Sequence, residues 1–118
     1  MARGNEPRLL PRLRVLQGET IVLGPGKADL LEAIARHGSL REAAGEIGMS
    51  YMRGWRLVQT MNAAFRQPVV ILSRGGRAHG GAELTALGHQ ALDLYRSMEA
   101  ETLHATRTAW KALRRLLR

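Results

Sequence analysis

The sequence predicts a mainly helical domain with small β elements, an α+β fold that closes on one long helix. Three observations carry this. Serines at Ser39 and Ser50 each stand before a stretch of helical apolar spacing. The extended, β-branched runs are short, at residues 13–16, 20–23 and 69–72. A stripe of apolar residues then recurs at helical spacing from Leu87 towards Leu117. The 118 residues are enough for one domain with one modest core, built from aliphatic rather than aromatic side chains.

In chain order, residues 1–11 are polar and hold Pro7 and Pro11, which reads as a flexible arm. Residues 13–16 and 20–23, separated by Gln17-Gly18-Glu19, read as a hairpin. A first helix is expected from Gly24-Pro25-Gly26, because proline at the first helical position forfeits no intrahelical hydrogen bond. Asp29 and Glu32 fall early enough to favour its dipole, Leu30, Leu31, Ile34 and Ala35 form its apolar stripe, and Gly38 stops it. Ser39-Leu40-Arg41-Glu42 has the form of a capping box, with Leu40, Ala43, Ala44 and Ile47 facing inward. Ser50 caps a third helix whose inner face reads Gly54, Leu57, Val58, Met61 and Phe65, ended by Pro68. Residues 69–72 form a strand, residues 73–81 a glycine-rich loop, and Ala82-Glu83-Leu84 a return strand. Thr85 caps the last helix, which is expected to reach the C-terminus.

Residues 40–61 are the informative unit: a short capped helix, a turn holding Gly48, and a second capped helix, the pattern of a helix-turn-helix. Gly48 suits the backbone of such a turn, and Ala44 and Gly54 let the two helices approach. With the glycine-rich hairpin that follows, the expected architecture is a winged helix-turn-helix with an N-terminal β-hairpin and a long C-terminal dimerisation helix, divided as arm 1–11, domain 12–85 and helix 86–118. In such a motif the second helix enters the major groove of DNA. Met52, Arg53, Arg56 and Gln59 are expected to face outward, with Tyr51 and Trp55 able to stack on the shoulder. Ser50 and Tyr51 are read as phosphate contacts. Arg53 or Arg56 is expected to read guanine; the alternative is that both contact phosphate only. Met52 either meets a thymine methyl or is plain surface. Trp55 is read as structural, beneath the wing, with a DNA contact as the alternative. The wing, with Arg74, Gly75, Gly76, Arg77 and His79, is expected to meet backbone or minor groove. Its glycines match neither phosphate-binding pattern.

Charge agrees with a polyanionic partner. The formal net charge is +8, every segment of the chain is basic, and sixteen of the eighteen basic residues are arginine. The chain has no cysteine, which excludes disulfides and thiolate chemistry. No run approaches membrane-span length and no leader pattern is present, so a cytoplasmic protein is expected. His37, His79, His89 and His104 form no ligand pair in sequence, and no catalytic constellation presents itself; no metal, cofactor or enzymatic activity is expected. Leu87, Ala91, Leu94, Tyr95, Met98, Trp110, Leu113 and Leu117 lie along one side of the last helix. That is more apolar surface than a small core needs, and it points to a homodimer.

Ser50-Tyr51, Trp55, Met61-Asn62, Gly75-Gly76-Arg77, Gly80-Gly81-Ala82-Glu83-Leu84-Thr85 and Gly88, with Gly24-Pro25-Gly26 and Gly38-Ser39, resemble the N-terminal DNA-binding domain of the ModE family of molybdate-responsive regulators. The resemblance covers about residues 12–98. It implies a dimeric winged helix-turn-helix related to the DNA-binding heads of LysR-type regulators. Departures fall at Met52, Ile71, Leu72 and Ala78-His79, so a shared operator is not implied. The family's molybdate domains follow the DNA-binding domain. With the sequence ending at Arg118, the resemblance implies DNA binding and no small-molecule effector within this chain: a stand-alone regulator, one signalled through a partner, or a truncated chain. The expected function is sequence-specific regulation on duplex DNA, without membrane association. The alternatives are a non-specific nucleoid-type DNA binder and a winged-helix adaptor for protein.

Overall fold

The structure is a computed structural model that describes residues 3–73 and 81–118. After a 3-10 turn at Arg3–Asn5 the elements are β1 (Val15–Gln17), β2 (Thr20–Leu23), α1 (Pro25–His37), α2 (Leu40–Glu46), α3 (Tyr51–Ala64), β3 (Val70–Ser73), β4 (Gly81–Leu84) and α4 (Ala86–Arg114). The fold is the winged helix that the sequence predicts.

Short-range chemistry sets the helix boundaries. Pro25 occupies the first helical position of α1, and Gly38 ends that helix with its amide on the Ile34 carbonyl. Ser39 Oγ accepts from the Glu42 amide (3.2 Å), Ser50 Oγ from the Arg53 amide (3.1 Å) and Thr85 Oγ1 from the Gly88 amide (3.0 Å). α2, α3 and α4 thus each begin on a hydroxyl that satisfies an otherwise orphaned donor. The box at Ser39 is only half made: Glu42 turns its carboxylate towards His37 Nδ1, 3.7 Å away, rather than back to the cap. Gly48 stands at φ 71° between α2 and α3, the left-handed backbone that this turn requires.

The core is aliphatic. Leu30, Leu31 and Ile34 of α1, Leu40 of α2, Val58 and Met61 of α3, and Val69 and Val70 beside the wing are essentially inaccessible, and Tyr95 of α4 is 1% exposed. Ala35 is exposed while Ala28 and Ala33 are buried, so the inner face of α1 is rotated from the expected stripe. Neither Asp29 nor Glu32 lies in the first turn of α1. Both pair instead with Arg96, whose guanidinium meets Asp29 Oδ1 at 3.0 Å, Glu32 Oε1 at 2.6 Å and Glu99 Oε1 at 3.0 Å, tying α4 to α1. Partial burial opposes the charge of Arg96, yet these carboxylates outweigh it and hold its pKa above the usual arginine range. Glu46 of α2 bonds both Arg36 and His37 at the end of α1, and those hydrogen bonds, Arg36 first, lower its pKa.

Two antiparallel hairpins complete the fold. In the first, Gln17 pairs with Thr20 and Leu16 with Ile21, with an irregularity at Val15. In the second, Val70 faces Leu84 and Ser73 faces Gly81. The second hairpin leans on the helices: Gly81 bridges to Ser39, and the Ala82 amide donates to the Gly38 carbonyl at 3.0 Å. α4 spans 29 residues, about 43 Å at the usual rise, and only its first turns are buried. Gly88, Ala91, Leu92 and Tyr95 face the core, and the Tyr95 hydroxyl donates to the Leu13 carbonyl at 2.7 Å. The eight apolar residues expected to form one interface stripe therefore divide. Ala91 and Tyr95 belong to the domain's own core, whereas Leu94 (58% exposed), Met98, Leu113 and Leu117 remain on the surface. The helix stops at Arg114, short of the C-terminus, and Leu117 lies beyond it. Among the described residues no helix is long and apolar enough to cross a membrane.

Candidate nucleic-acid interface

The candidate recognition surface is built on α2 and α3. The two sit close because Gly54 has no side chain: a Cβ there would lie 3.3 Å from Leu40 Cδ1 and 3.4 Å from Ala44 Cβ. Gly54, Val58 and Met61 are buried, and Leu57 and Phe65 are half-buried, so the inner face of α3 is the one expected. The opposite face carries Met52, Arg53, Arg56 and Gln59, all exposed. Ser50 is exposed at the head of this face, its oxygen engaged as the cap and its hydroxyl proton still able to donate. The row offers two guanidinium forks, an amide and a thioether on a helix whose first turn is fixed.

The shoulder differs from expectation. Tyr51 is half-buried with the Arg41 guanidinium over its ring, 4.9 Å from the centroid, a cation–π contact between α2 and α3 rather than a stack on Trp55. Trp55 is 39% exposed beside the row. Arg74, Gly75, Gly76, Arg77 and His79 lie outside the described residues.

The base of the wing is fixed by residues whose role sequence reasoning misses. Asn62 of α3 donates Nδ2 to the Val70 carbonyl (2.9 Å) and accepts with Oδ1 from the Val69 (2.8 Å) and Val70 (3.2 Å) amides. From the other side the Thr85 hydroxyl donates to the Pro68 carbonyl (2.8 Å) and the Thr85 amide to the Val69 carbonyl (3.0 Å). Gly88 presses on that same carbonyl: a Cβ at Gly88 would stand 2.1 Å from the oxygen. The only local hint is a polar amide near the end of a helix, shortly before a β-branched run. Its partners are backbone groups that a sequence does not display.

A second basic group flanks the row. Arg12, Arg14, Lys27 and Arg53 line one open hollow with Ile21, Gly24, Pro25, Gly26 and Leu57. Lys27 Nζ donates to the Ile21 carbonyl at 2.7 Å. Partial burial, and then the nearby charge of Arg53, lower the pKa of Lys27. The sequence does not single out Arg12, Arg14 or Lys27, because nothing in it places them beside Arg53.

No protein-family model matches the chain. Individual relatives do. The chain is 43% identical over 88 residues to the molybdenum-pterin-binding protein MopA of Rhodobacter capsulatus, covering 75% of this chain and 33% of that protein. It is 36% identical over 94 residues to the molybdenum transport protein ModE of Azotobacter vinelandii, covering 80% and 35%. It is 35% identical over 71 residues to the DNA-binding transcriptional dual regulator ModE of Escherichia coli, covering 60% and 27%. The chain thus spans about a third of the length of the relatives it matches. Among solved structures, the DNA-binding domain of CbnR in its complex with DNA superposes with a TM-score of 0.56 at 28% identity, covering 74% of this chain and 95% of that one. Sequence likeness and superposition agree: this chain is a ModE-like winged helix-turn-helix domain.

Proposed function

We propose that this domain binds duplex DNA sequence-specifically as a homodimer and regulates transcription. The observation that carries the reading is the exposed row Met52, Arg53, Arg56 and Gln59 on the capped α3. It is set in a fold like that of a domain solved on DNA. Arginine forks can take guanine bidentately, and Gln59 can take adenine. Ser50 and Tyr51 stand at the head of the helix, where backbone phosphates would pass. Dimerisation would use the surface residues of α4, Leu94, Met98, Leu103 and Leu113, which are exposed and apolar. It would set two α3 helices about one duplex turn, or a multiple of it, apart.

The test is selection of random duplexes on the purified protein. The expected result is an enriched site with two related halves, bound with an affinity that falls steeply with salt. Equal affinity for the selected and the random pool would replace specific regulation by non-specific coating of DNA. Sedimentation of Leu94→Glu beside the unaltered chain tests the dimer; an unaltered chain that sediments as a monomer at working concentration would remove it.

A further inference from the structure

We propose that the hollow between the N-terminal hairpin and α3 is a second anchoring site, taking one or two backbone phosphates of the duplex beside the bases read by α3. This rests on the DNA-binding reading above and deepens it. Four cationic residues from three parts of the chain line the hollow: Arg12 and Arg14 from the segment leading into β1, Lys27 from α1 and Arg53 from α3. The hollow has a volume of about 330 Å³, ample for a phosphate group.

Among the described residues no carboxylate lines it. Among the described residues none of the four makes an ion pair, whereas Arg36 and Arg96 are both paired with acids. The acids of α1, Asp29 and Glu32, are taken by Arg96. Like charges drawn together without a counterion repel, and an anion seated among them relieves that repulsion. Nearby hydrogen-bond acceptors do not compensate: Lys27 uses the Ile21 carbonyl, and Arg14 reaches only the Arg12 carbonyl, at 3.4 Å.

Arg53 identifies the anion. It belongs both to the hollow and to the outward row of α3, so a ligand seated in the hollow lies at the edge of the surface that meets DNA. A phosphodiester passing that edge has the right charge and reaches the site without entering a closed cavity. The assignment also divides the two recognition arginines. Arg53 is a phosphate anchor, and Arg56, which does not line the hollow, is left as the base reader.

The experiment compares the unaltered chain with Arg12→Gln/Arg14→Gln and, separately, with Lys27→Gln, on the selected duplex from about 50 to 200 mM salt. Each phosphate contact contributes about 0.9 to the slope of log affinity against log salt. The double variant should therefore lower that slope by about 0.9–1.8 and Lys27→Gln by up to about 0.9, the whole site contributing no more than about 1.8, and Lys27→Arg should restore it. The ratio of affinities for the selected and single-mismatch duplexes should stay within about twofold, while Arg56→Gln should collapse it at one position. Unchanged slopes in folded variants, or a lost base preference in the double variant, would overturn the site. If the unaltered chain itself showed no preference for the selected duplex, the parent reading would fail instead. Inorganic phosphate titrated at constant ionic strength separates the sources. Shifts of the Gly26 and Lys27 amides only at tens of millimolar fit a backbone site; saturation at micromolar phosphate, with the DNA slopes unchanged, would assign the hollow to a free oxyanion and overturn the proposal.

Discussion

Replacing Gly88 by alanine should unfold the domain more readily than any other single glycine-to-alanine change inside its helices. The Cβ would stand 2.1 Å from the Val69 carbonyl oxygen and 3.0 Å from its carbon. A carbon–oxygen contact settles above about 3.3 Å, so α4 and the Pro68-Val69-Val70 segment must part by roughly 1 Å. Neither side is a flexible side-chain end. The same carbonyl accepts the Thr85 amide at 3.0 Å, and the Thr85 hydroxyl holds the Pro68 carbonyl at 2.8 Å. Overpacking costs about 1–3 kcal/mol, and two stretched hydrogen bonds add about 1 kcal/mol each. Alanine returns about 1 kcal/mol of helix propensity. The net is a loss of about 2–4 kcal/mol. Gly45→Ala is the internal control: nothing lies within 4 Å of its Cβ, so only the propensity gain remains, and stability should rise by about 0.5–1 kcal/mol. Gly54→Ala lies between, because Leu40 Cδ1 at 3.3 Å has to yield only a little; its stability should stay within about 1 kcal/mol of the unaltered chain. Urea unfolding at one fixed protein concentration reads all three as midpoint shifts with unchanged slope. A Gly88→Ala protein as stable as Gly45→Ala would refute the close approach of α4 to the wing base.

Further expectations follow from the other junctions. Asn62→Ala strands the part-buried amides of Val69 and Val70 and should lower stability by about 2–3 kcal/mol in the same urea assay. Glu46→Gln should flatten the acid limb of the melting temperature. The folded-state pKa of Glu46 lies below its ordinary 4.5, so its contribution is present above 4.5 and fades as pH falls through the lower value. Tyr95→Phe removes the bond to the Leu13 carbonyl and should cost about 1 kcal/mol at neutral pH. Burial raises the pKa of Tyr95 above 10, so the unaltered chain should also lose stability as pH rises from 10 through that higher value, and the variant should lose less. Hydrogen exchange of the β1–β2 hairpin in the Tyr95→Phe protein should quicken, since that bond tethers the segment before β1 to α4.

The parts of the fold that are legible in the sequence are those decided within a few residues. Hydroxyl caps at Ser39, Ser50 and Thr85, the left-handed Gly48 and the outward row on α3 each depend on spacing along one helix or turn. What stays hidden depends on contacts across the chain. Asn62 looks like one more polar helical residue until Val69 and Val70 are seen to need partners. Leu92 escapes the apolar stripe of α4 and Leu94 enters it, because spacing along one helix does not say where the core will meet it. Asp29 and Glu32 suit the dipole of α1 on spacing alone, yet Arg96, some sixty residues on, takes both. The hollow of Arg12, Arg14, Lys27 and Arg53 is invisible for the same reason.

These placements bear on what likeness to ModE can carry over. Asn62, Thr85 and Gly88 belong to the motif that suggests the family, and all three act at one junction, where α3, the wing base and α4 meet. Their combination therefore selects a backbone arrangement: it fixes how the wing leaves α3 and how α4 leaves the wing. Operator choice would instead rest with Met52, Arg56 and Gln59, exposed side chains that are free to vary over an unchanged core. On that division, changing Arg56 and Gln59 together should redirect the selected duplex while leaving stability in urea within about 0.5 kcal/mol, as expected for surface substitutions. Changing Asn62 should do the reverse, lowering the midpoint while the surviving folded protein selects the same site. A variant pair that moved both readouts together would mean that the recognition row and the wing junction are one coupled unit, and that the likeness carries operator choice with it.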